Sequence, residues 1–236
     1  RVAAWASAAG LRVIPPGVDM AELDPDRVRG QRVAALAERW NLGEDKKVVL
    51  LPAPMFRNHG HLTLMKAMAK LERTDFLLLF LGTDEAQPGF VKQVESLVKA
   101  GGIGDRVRFA GSCPDIPAAL QLADVVVLPM SQPVPSARTI VAAQAMGRPV
   151  IVSNQGAMPE ALMPAATGWL VPPEDADELA WAIDRALSLD EEVRERMVTR
   201  ARQFIAGQYS LDVVGRRQVE LYEELLWSPE RGAKSS

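Results

Sequence analysis

The sequence predicts an α/β protein, a Rossmann-like doubly wound parallel sheet followed by extra C-terminal helices. Short runs rich in leucine and β-branched residues alternate with longer segments of helical period along most of the chain. Several of the short runs are apolar at consecutive positions, which is typical of parallel strands that helices cover on both faces. After Pro173 the pattern indicates helices only.

The predicted strands combine a short length with an apolar composition. They are LRVIP (11–15), KKVVLLPA (46–53), DFLLLFLG (75–82), RVRFAG (106–111), DVVVLP (124–129), PVIVS (149–153) and GWLVP (168–172). Ligands of doubly wound sheets bind outside the carboxyl ends of the strands. The candidate site is therefore formed by the loops that follow the strands, at residues 53–60, 82–88, 111–114, 129–137 and 153–157.

Helical periodicity predicts helices between these strands. They lie near residues 26–41, 60–73, 89–101, 114–123, 138–147 and 156–163. Further helices follow the last strand, near residues 175–188, 190–208 and 211–227. The acidic residues of EDADE (174–178) favour a helix start at this point, because the N-terminal end of a helix carries partial positive charge.

Composition and charge fit an ordinary globular protein. Hydrophobic residues make up 48% of the 236 residues and charged residues 24%. The net charge of −3 gives no overall attraction to nucleic acid, so no nucleic-acid partner is expected. The single cysteine, Cys113, excludes an intrachain disulfide and fits a reducing, cytoplasmic compartment. No apolar run reaches the roughly 18 residues of a spanning helix.

Five separated motifs carry a family resemblance. In chain order they are VIPPGVD (13–19), HGHLTLMKAMAKL (59–71), GDRVRFAGSCPDIPAALQLADVVVLP (104–129), RTIVAAQAMGRPVIVS (138–153) and TGWLVPPED (167–175). Together they resemble the C-terminal, donor-binding half of the group 1 glycosyltransferases, which are retaining enzymes of the GT-B fold. Any one of these motifs alone would be weak, but the shared order makes the resemblance specific.

The resemblance implies a division of the chain. Residues 1–20 would hold an inter-domain segment and a first strand, and residues 21–210 a Rossmann-like domain that binds a nucleotide sugar. Residues 211–227 would form a helix that crosses back to an N-terminal acceptor domain, and residues 228–236 a disordered tail. Because the chain opens on Arg1 rather than Met, we expect that the acceptor domain is missing from it.

The resemblance also implies substrates and partners. The donor would be a UDP- or GDP-sugar, the acceptor a cell-surface glycan or glycolipid, and no cofactor or metal would be required. Peripheral membrane association would run through the missing domain. The apolar face of helix 211–227 would be exposed or would pack against a second copy in a homodimer. An ordinary helix packed on the sheet is an equal alternative.

Four charged positions of the family's donor site are replaced in this chain. The family uses an Arg and a Lys in its first loop, and two Glu separated by seven residues that bind the donor sugar and the ribose. The matching residues here are Pro54, His59, Val134 and Ala142, and a Phe-Gly pair is replaced by Ser136 and Ala137. Losing one hydrogen-bond donor to the leaving group typically costs on the order of 100- to 1,000-fold in rate.

Several groups remain as candidates for donor binding, although no catalytic residue is identified. The helix that starts near Arg138 offers free amides to a phosphate, with Ser136 as its predicted N-cap. The phosphate candidates are Arg57, His59, Gly60, Ser136, Ala137, Arg138 and Thr139. The resemblance implies that the loop after the fourth predicted strand holds the nucleobase mainly through backbone groups, and the candidates there are Gly111, Ser112, Cys113 and Ile116. Glu160 matches an acid of the resembled family and is therefore the candidate on the sugar side. The alternative is that Arg57, Arg138 and Glu160 are solvated surface charges.

The histidines and the cysteine do not indicate separate chemistry. His59 and His61 are the only histidines, and two ligands without a third do not specify a metal site. His61 is expected on the exposed face of its helix. Cys113 has no base near it in sequence, so a nucleophilic role is not favoured. The methionines at 65, 68, 146 and 158 are expected to pack in the core.

Three hypotheses follow for the function. The first is a glycosyltransferase, with an unusual donor or weak activity. The second is a catalytically degenerate GT-B relative that binds a partner protein or senses a nucleotide, which the four replacements favour directly. The third, a nucleotide-sugar epimerase on the same fold, has less support because the motifs resemble those of the transferases. Whether the chain is an enzyme is left open by its sequence.

Overall fold

The computed structural model describes residues 12–43, 45–82 and 87–227. Within them, six strands form one parallel sheet: β1 (Lys47–Pro52), β2 (Phe76–Leu81), β3 (Val107–Ala110), β4 (Val125–Leu128), β5 (Val150–Ser153) and β6 (Gly168–Val171). The strand order is β3-β2-β1-β4-β5-β6. The predicted doubly wound parallel sheet is confirmed. The order reverses between β1 and β4, and this switch point is where such sheets bind ligands.

Helices cover both faces of the sheet. They are α1 (Gly30–Arg39), α2 (His61–Met68), α3 (Pro88–Ala100), α4 (Ile116–Leu122), α5 (Arg138–Ala145), α6 (Ala176–Leu187), α7 (Glu191–Tyr209) and α8 (Leu211–Trp227). On one side α2 packs against α3 and α6, whereas on the other α1 packs against α4 and α5 against α7. Crossovers between parallel strands are right-handed as a rule, so the direction of a connection decides the face on which its helix lies. The connections through α2 and α3 run towards β3, whereas those through α4 and α5 run towards β6, so the two pairs of helices lie on opposite faces.

The core lies between the sheet and these two helical layers. Every residue of β2 is buried, as the apolar run FLLLFL predicts, and β4 and β5 are buried throughout. The predicted methionines Met65, Met68, Met146 and Met158 are all buried. Asp175 starts α6 by accepting hydrogen bonds from the amides of Asp177 and Glu178, both at 3.0 Å.

Two predicted elements are wrong. Residues 12–15 of the predicted strand at 11–15 form no strand, because Pro15 and Pro16 have no amide to donate to a ladder; residue 11 lies outside the described residues. Instead, Val18 makes a single parallel bridge to Ser210. The predicted helix at 156–163 is reduced to the 3-10 turn Pro159–Ala161, since Gly156 has a φ of 59° and Pro159 cannot donate.

The last helix has the predicted bounds but few neighbours. It packs against α7 rather than on the sheet, so the alternative of an ordinary sheet-covering helix is wrong. Its apolar side chains Leu211, Val219, Tyr222, Leu225 and Leu226 are exposed. Coverage by an acceptor domain or by a second copy stays a prediction. The predicted tail at 228–236 and part of the loop at 82–88 lie outside the described residues.

Across the three described ranges, no helix has both the length and the apolar character needed to span a membrane.

Candidate functional site

The loops after β1 and β4 meet at the switch point. The amide of Ser131 donates a hydrogen bond to the carbonyl of Asn58 at 2.9 Å. Gly60, with a φ of 79°, lies so close to Pro129 that a Cβ at this position would be 1.8 Å from the Pro129 carbonyl oxygen. Only glycine allows this approach, so Gly60 has a structural role at the site whether or not it contacts a phosphate.

Helix α5 begins beside this contact with incompletely satisfied amides. Ala137 occupies the N-cap position with a φ of −98°, so the predicted N-cap at Ser136 is displaced by one residue. The Ser136 hydroxyl still accepts a hydrogen bond from the Arg138 amide at 3.3 Å. The amides of Thr139 and Ile140 belong to the first turn and have no acceptor inside the helix. This end of α5 can therefore donate to an anion.

A first cavity, which we call the α4–α5 cavity, lies between α4 and α5 at the carboxyl ends of β1 and β2. Its volume is about 210 Å³. Its lining residues are Pro52, Leu81, Ile116, Ala119, Leu120, Arg138, Thr139 and Ala142. Ala142 and the nearby Val134 are half-buried and pack against the hydrophobic core. The two positions at which the family has glutamates are therefore apolar in structure as well as in sequence.

A second cavity, the Glu160 cavity, lies on the other side of Arg138. Its volume is about 140 Å³. It is lined by residues 13–16 and 135–138 together with Val141, Ala157, Glu160 and Tyr209. The exposed Glu160 borders it, while the Glu160 carbonyl accepts a hydrogen bond from the Tyr209 hydroxyl at 2.8 Å. Burial, and then the charge of Glu160, raise the pKa of Tyr209.

The two cationic candidates in the loop after β1 do not face either cavity. Arg57 donates from Nη1 to Gln93 Oε1 at 2.9 Å, and its guanidinium carbon lies 5.3 Å from the centre of the Phe90 ring. His59 Nδ1 lies 2.7 Å from the Pro54 carbonyl oxygen. Neither Arg57 nor His59 lines the α4–α5 cavity or the Glu160 cavity. Arg138 is the cationic side chain that the two cavities share.

The prediction that His61 lies on an exposed helix face is wrong. Its side chain is fully buried, with ring centres 5.1 Å from Phe80 and 6.0 Å from Phe90. Among the described residues neither ring nitrogen makes a hydrogen bond of full geometry, although the backbone groups of Phe56 and Ala53 offset part of the lowering of its pKa. Burial, and then the charge of His59, lower its pKa from 6.5 to about 4. The sequence held a signal for this, because residues 61, 64, 65 and 68 have the i, i+3, i+4, i+7 spacing of one buried helix face.

We expect the buried His61 to make the protein acid-sensitive. Its pKa is about 4 in the folded protein, below its ordinary value of 6.5, so the unfolded chain binds the proton first and stability falls as the pH drops from about 6.5 to about 4. The full effect is about 3 kcal/mol, at about 1.36 kcal/mol per pKa unit. Urea unfolding of the wild type and of His61→Phe across this pH range measures the difference.

The control for this prediction is the other histidine. His59→Gln should keep most of the acid-dependent loss, because His59 is only half-buried. If the wild type and His61→Phe lose stability in parallel between pH 6.5 and 4, other groups are responsible for it.

Two hydrogen bonds fix the predicted nucleobase loop, one to the loop after β2 and one within the loop itself. The Gly111 carbonyl accepts a hydrogen bond from the Gly82 amide at 3.2 Å. Cys113 is buried and its Sγ donates to the Asp115 carbonyl at 3.4 Å, and burial raises the pKa of its thiol. Ser112 lies in the same loop, and Ile116 is 40% exposed at the mouth of the α4–α5 cavity. The raised pKa agrees with the expectation that Cys113 is not a nucleophile.

An ion pair that the sequence did not indicate fixes the end of this loop. Arg32 on α1 contacts Asp115 twice, from Nε to Oδ2 at 2.7 Å and from Nη2 to Oδ1 at 2.5 Å. Asp115 also accepts from the Ala118 amide at 3.1 Å and so caps α4. The hydrogen bond from Arg32 lowers the pKa of Asp115. The DIP sequence at 115–117 is a helix-start signal, but a partner 83 residues away cannot be inferred from it.

We expect the cap to matter more for stability than the ion pair. Asp115→Ala should lower the free energy of unfolding by about 1 kcal/mol, the usual cost of losing an N-cap. Arg32→Ala should cost less, because it leaves the cap in place and the pair is partly exposed. Asp115→Asn is the matched control, since asparagine also caps helices but weakens the pair. Urea unfolding compares the three, and a loss in Arg32→Ala as large as in Asp115→Ala would contradict the ranking.

In the part of the chain that the structure describes, no group of three or more His, Cys, Asp or Glu side chains is placed to hold a metal ion.

The parallel sheet, the switch-point cavities and the open N-terminus of α5 together define a Rossmann-like domain with a candidate nucleotide site. Comparison with known protein families identifies the family to which this domain belongs. The family model "Glycosyl transferases group 1" matches residues 34–204. The chain therefore belongs to the group 1 glycosyltransferases.

Relatives with assigned names agree with this family. The chain is 32% identical over 198 residues to the alpha-D-kanosaminyltransferase of Streptomyces kanamyceticus, covering 82% of this chain and 50% of that protein. It is 29% identical over 221 residues to a GDP-mannose-dependent alpha-(1-6)-phosphatidylinositol monomannoside mannosyltransferase of Mycobacterium tuberculosis, covering 89% and 55%. The chain thus spans about half the length of the curated relatives it matches.

Solved structures show the same fold. A glycosyltransferase from Rickettsia africae superposes with a TM-score of 0.88 at 28% identity, covering 92% of this chain and 57% of that one. Anabaena HepE, solved with UDP and glucose, superposes with a TM-score of 0.83 at 22% identity, covering 94% and 59%. The GT-B prediction for this part of the chain is confirmed.

Proposed function

We propose that the chain is the donor-binding half of a group 1 glycosyltransferase and binds a nucleotide sugar at the start of α5. The observation that carries this proposal is the position of Arg138. It opens α5 at the switch point, beside free amides, and lines both the α4–α5 cavity and the Glu160 cavity. The diphosphate of a nucleotide sugar needs such a cationic centre, with space on one side for the nucleoside and on the other for the sugar.

The proposed pose follows the order of groups along a nucleotide sugar. The base lies against the loop at residues 111–116, the diphosphate at residues 136–139, and the donor sugar towards Glu160. When the sugar–phosphate bond breaks, negative charge grows on the diphosphate, and donors must stabilise it. Arg138 and the first amides of α5 supply this stabilisation. Arg57 and His59 contribute little in this arrangement, because their nearest partners are Gln93 and Pro54.

The relatives support a UDP- or GDP-sugar as donor. One relative is named as GDP-mannose-dependent, and HepE is solved with UDP-glucose. The relatives named with an activity are transferases, so the comparisons do not favour a non-catalytic partner protein. We further propose that the acceptor, a glycan or glycolipid, binds on a preceding domain, and that residues 21–210 form the donor domain. A cytoplasmic location stays a prediction from the single cysteine.

Calorimetric titration of the 236-residue chain with UDP, GDP and their sugar conjugates tests this proposal. We expect micromolar binding of one diphosphate, in competition with its sugar conjugate. Arg138→Ala should weaken it roughly 10- to 100-fold, because hydrogen bonds to charged groups contribute about 1.5–3 kcal/mol. Arg200→Ala, on the exposed surface of α7, is the matched control and should bind normally. No binding at millimolar concentration would overturn the proposal.

A further inference from the structure

We propose that this site takes nucleoside diphosphates without requiring both pentose hydroxyls, so that 2′-deoxyribonucleoside diphosphates bind there and their sugar conjugates are accepted as donors. The inference rests on the proposed function. It concerns the α4–α5 cavity, and it follows from where that cavity lies and what lines it.

The position of the cavity assigns it to the pentose. Ile116 opens α4 at the end of the proposed nucleobase loop, and Arg138 opens α5 at the proposed diphosphate position. Both residues line the α4–α5 cavity. In a nucleotide the pentose joins the base to the phosphates. The ring that connects these two positions must therefore pass through the space between α4 and α5.

The walls of the cavity offer the pentose little polar chemistry. Pro52, Leu81, Ile116, Ala119, Leu120 and Ala142 are the apolar lining residues. Arg138 donates but cannot accept, and in the proposed pose it faces the diphosphate. Thr139 provides one hydroxyl, which both donates and accepts. No carboxylate lines this cavity among the described residues.

A ribose therefore brings two vicinal hydroxyls to a cavity in which one side chain among the described residues, Thr139, is available to hydrogen-bond with them. A ribose carries hydroxyls at C2′ and C3′, whereas a 2′-deoxyribose carries only the one at C3′. Thr139 can pair with one hydroxyl, and the second hydroxyl of a ribose faces apolar wall. A buried hydroxyl without a partner weakens binding roughly 5- to 150-fold, but an open cavity retains water that reduces this penalty. Apolar walls likewise discriminate only weakly against an added hydroxyl.

The expected result is a ratio of dissociation constants close to one or in favour of the deoxy form. Calorimetric titration would compare UDP with dUDP and GDP with dGDP, since each pair differs only at C2′. We expect the deoxy member to bind from about equally well to about tenfold more tightly. Binding of the ribo member tenfold or more tightly would overturn the inference.

A pair of variants tests the physical reason. Ala142→Glu places a carboxylate three residues after Thr139, on the same helix face, where it can accept from both hydroxyls. It should shift the ratio about tenfold towards the ribonucleotide. Ala142→Leu fills the cavity without adding an acceptor, so it should weaken both forms and leave the ratio unchanged. A ratio that does not move in Ala142→Glu would overturn the assignment of the cavity to the pentose.

The two proposals fail in different ways. If none of the four diphosphates binds at millimolar concentration, the proposed function fails and the inference fails with it. If UDP or GDP binds and Arg138→Ala weakens it, but the ribo form is strongly preferred, the proposed function stands and only the inference is overturned.

Discussion

Gly60→Ala is expected to lower the free energy of unfolding by about 2–5 kcal/mol. Gly60 has a φ of 79°, which costs about 1–2 kcal/mol for a residue with a side chain. A Cβ here would lie 1.8 Å from the carbonyl oxygen and 2.5 Å from the carbonyl carbon of Pro129. Relieving this overlap requires the backbone after β4 to move, which adds about 1–3 kcal/mol. Because the moved loop leads to α5, nucleotide binding should weaken too.

Urea unfolding of the variant measures this loss, and Gly207→Ala is the matched control. Gly207 lies in α7, is exposed, and has no atom within 4 Å of an added Cβ. Replacing it should raise stability by about 0.5–1 kcal/mol, because alanine restricts the unfolded chain and favours helix. A Gly60→Ala protein that unfolds at the wild-type urea concentration would show that the loops do not approach each other as closely as described.

Restoring the replaced donor-site groups is expected to raise affinity for the nucleotide sugar about 100-fold. The triple variant carries Pro54→Arg, Val134→Glu and Ala142→Glu. Each charge-assisted hydrogen bond contributes about 1.5–3 kcal/mol, and the gains are not fully additive. The structure offers room for the change at 142, since Ala142 borders the cavity of about 210 Å³. Val134 is half-buried beside Gly156, whose added Cβ would lie 2.6 Å from the Val134 carbonyl oxygen, so this position is more restricted.

Calorimetric titration with UDP- and GDP-sugars measures the gain. The matched control keeps Pro54→Arg but uses Val134→Gln and Ala142→Gln, which preserve size and remove both negative charges. The control should gain less than the glutamate variant. Unchanged affinity in the glutamate variant would mean that these substitutions alone did not weaken the donor site.

The sheet could be predicted because its signal is local. Strands such as β2 are apolar at every position, and α8 begins and ends where its periodicity does. The strand predicted at 11–15 failed because apolar composition indicates a strand only where a partner strand can receive its hydrogen bonds. The described part of that segment, residues 12–15, precedes the bridge from Val18 to the junction of α7 and α8 instead. Pro15 at the end of this segment and Pro16 directly after it were the available warning.

The candidate site was only partly visible in the sequence. The start of α5 at Arg138 agrees with its motif. The Glu160 cavity is different, because residues 13–16 and Tyr209 come from distant parts of the chain and meet only after folding. The pairing of Arg32 with Asp115 is non-local in the same way. Burial of His61 was readable from helical spacing, but a polar side chain at a helix start is more often exposed.

The bridge at Val18 has a mechanical consequence. The Val18 amide donates to the Tyr209 carbonyl at 2.8 Å, and the Leu211 amide donates to the Val18 carbonyl at 3.1 Å. The segment before α1 and the junction of α7 and α8 therefore meet at one point, which would be the place for a hinge in the proposed two-domain arrangement. Residues 13–16 run directly from that hinge into the wall of the Glu160 cavity. If an acceptor domain precedes this chain, as proposed, its rotation about this point would widen or narrow the space beside Arg138, and the same movement would change both the acceptor side and the donor side of the site.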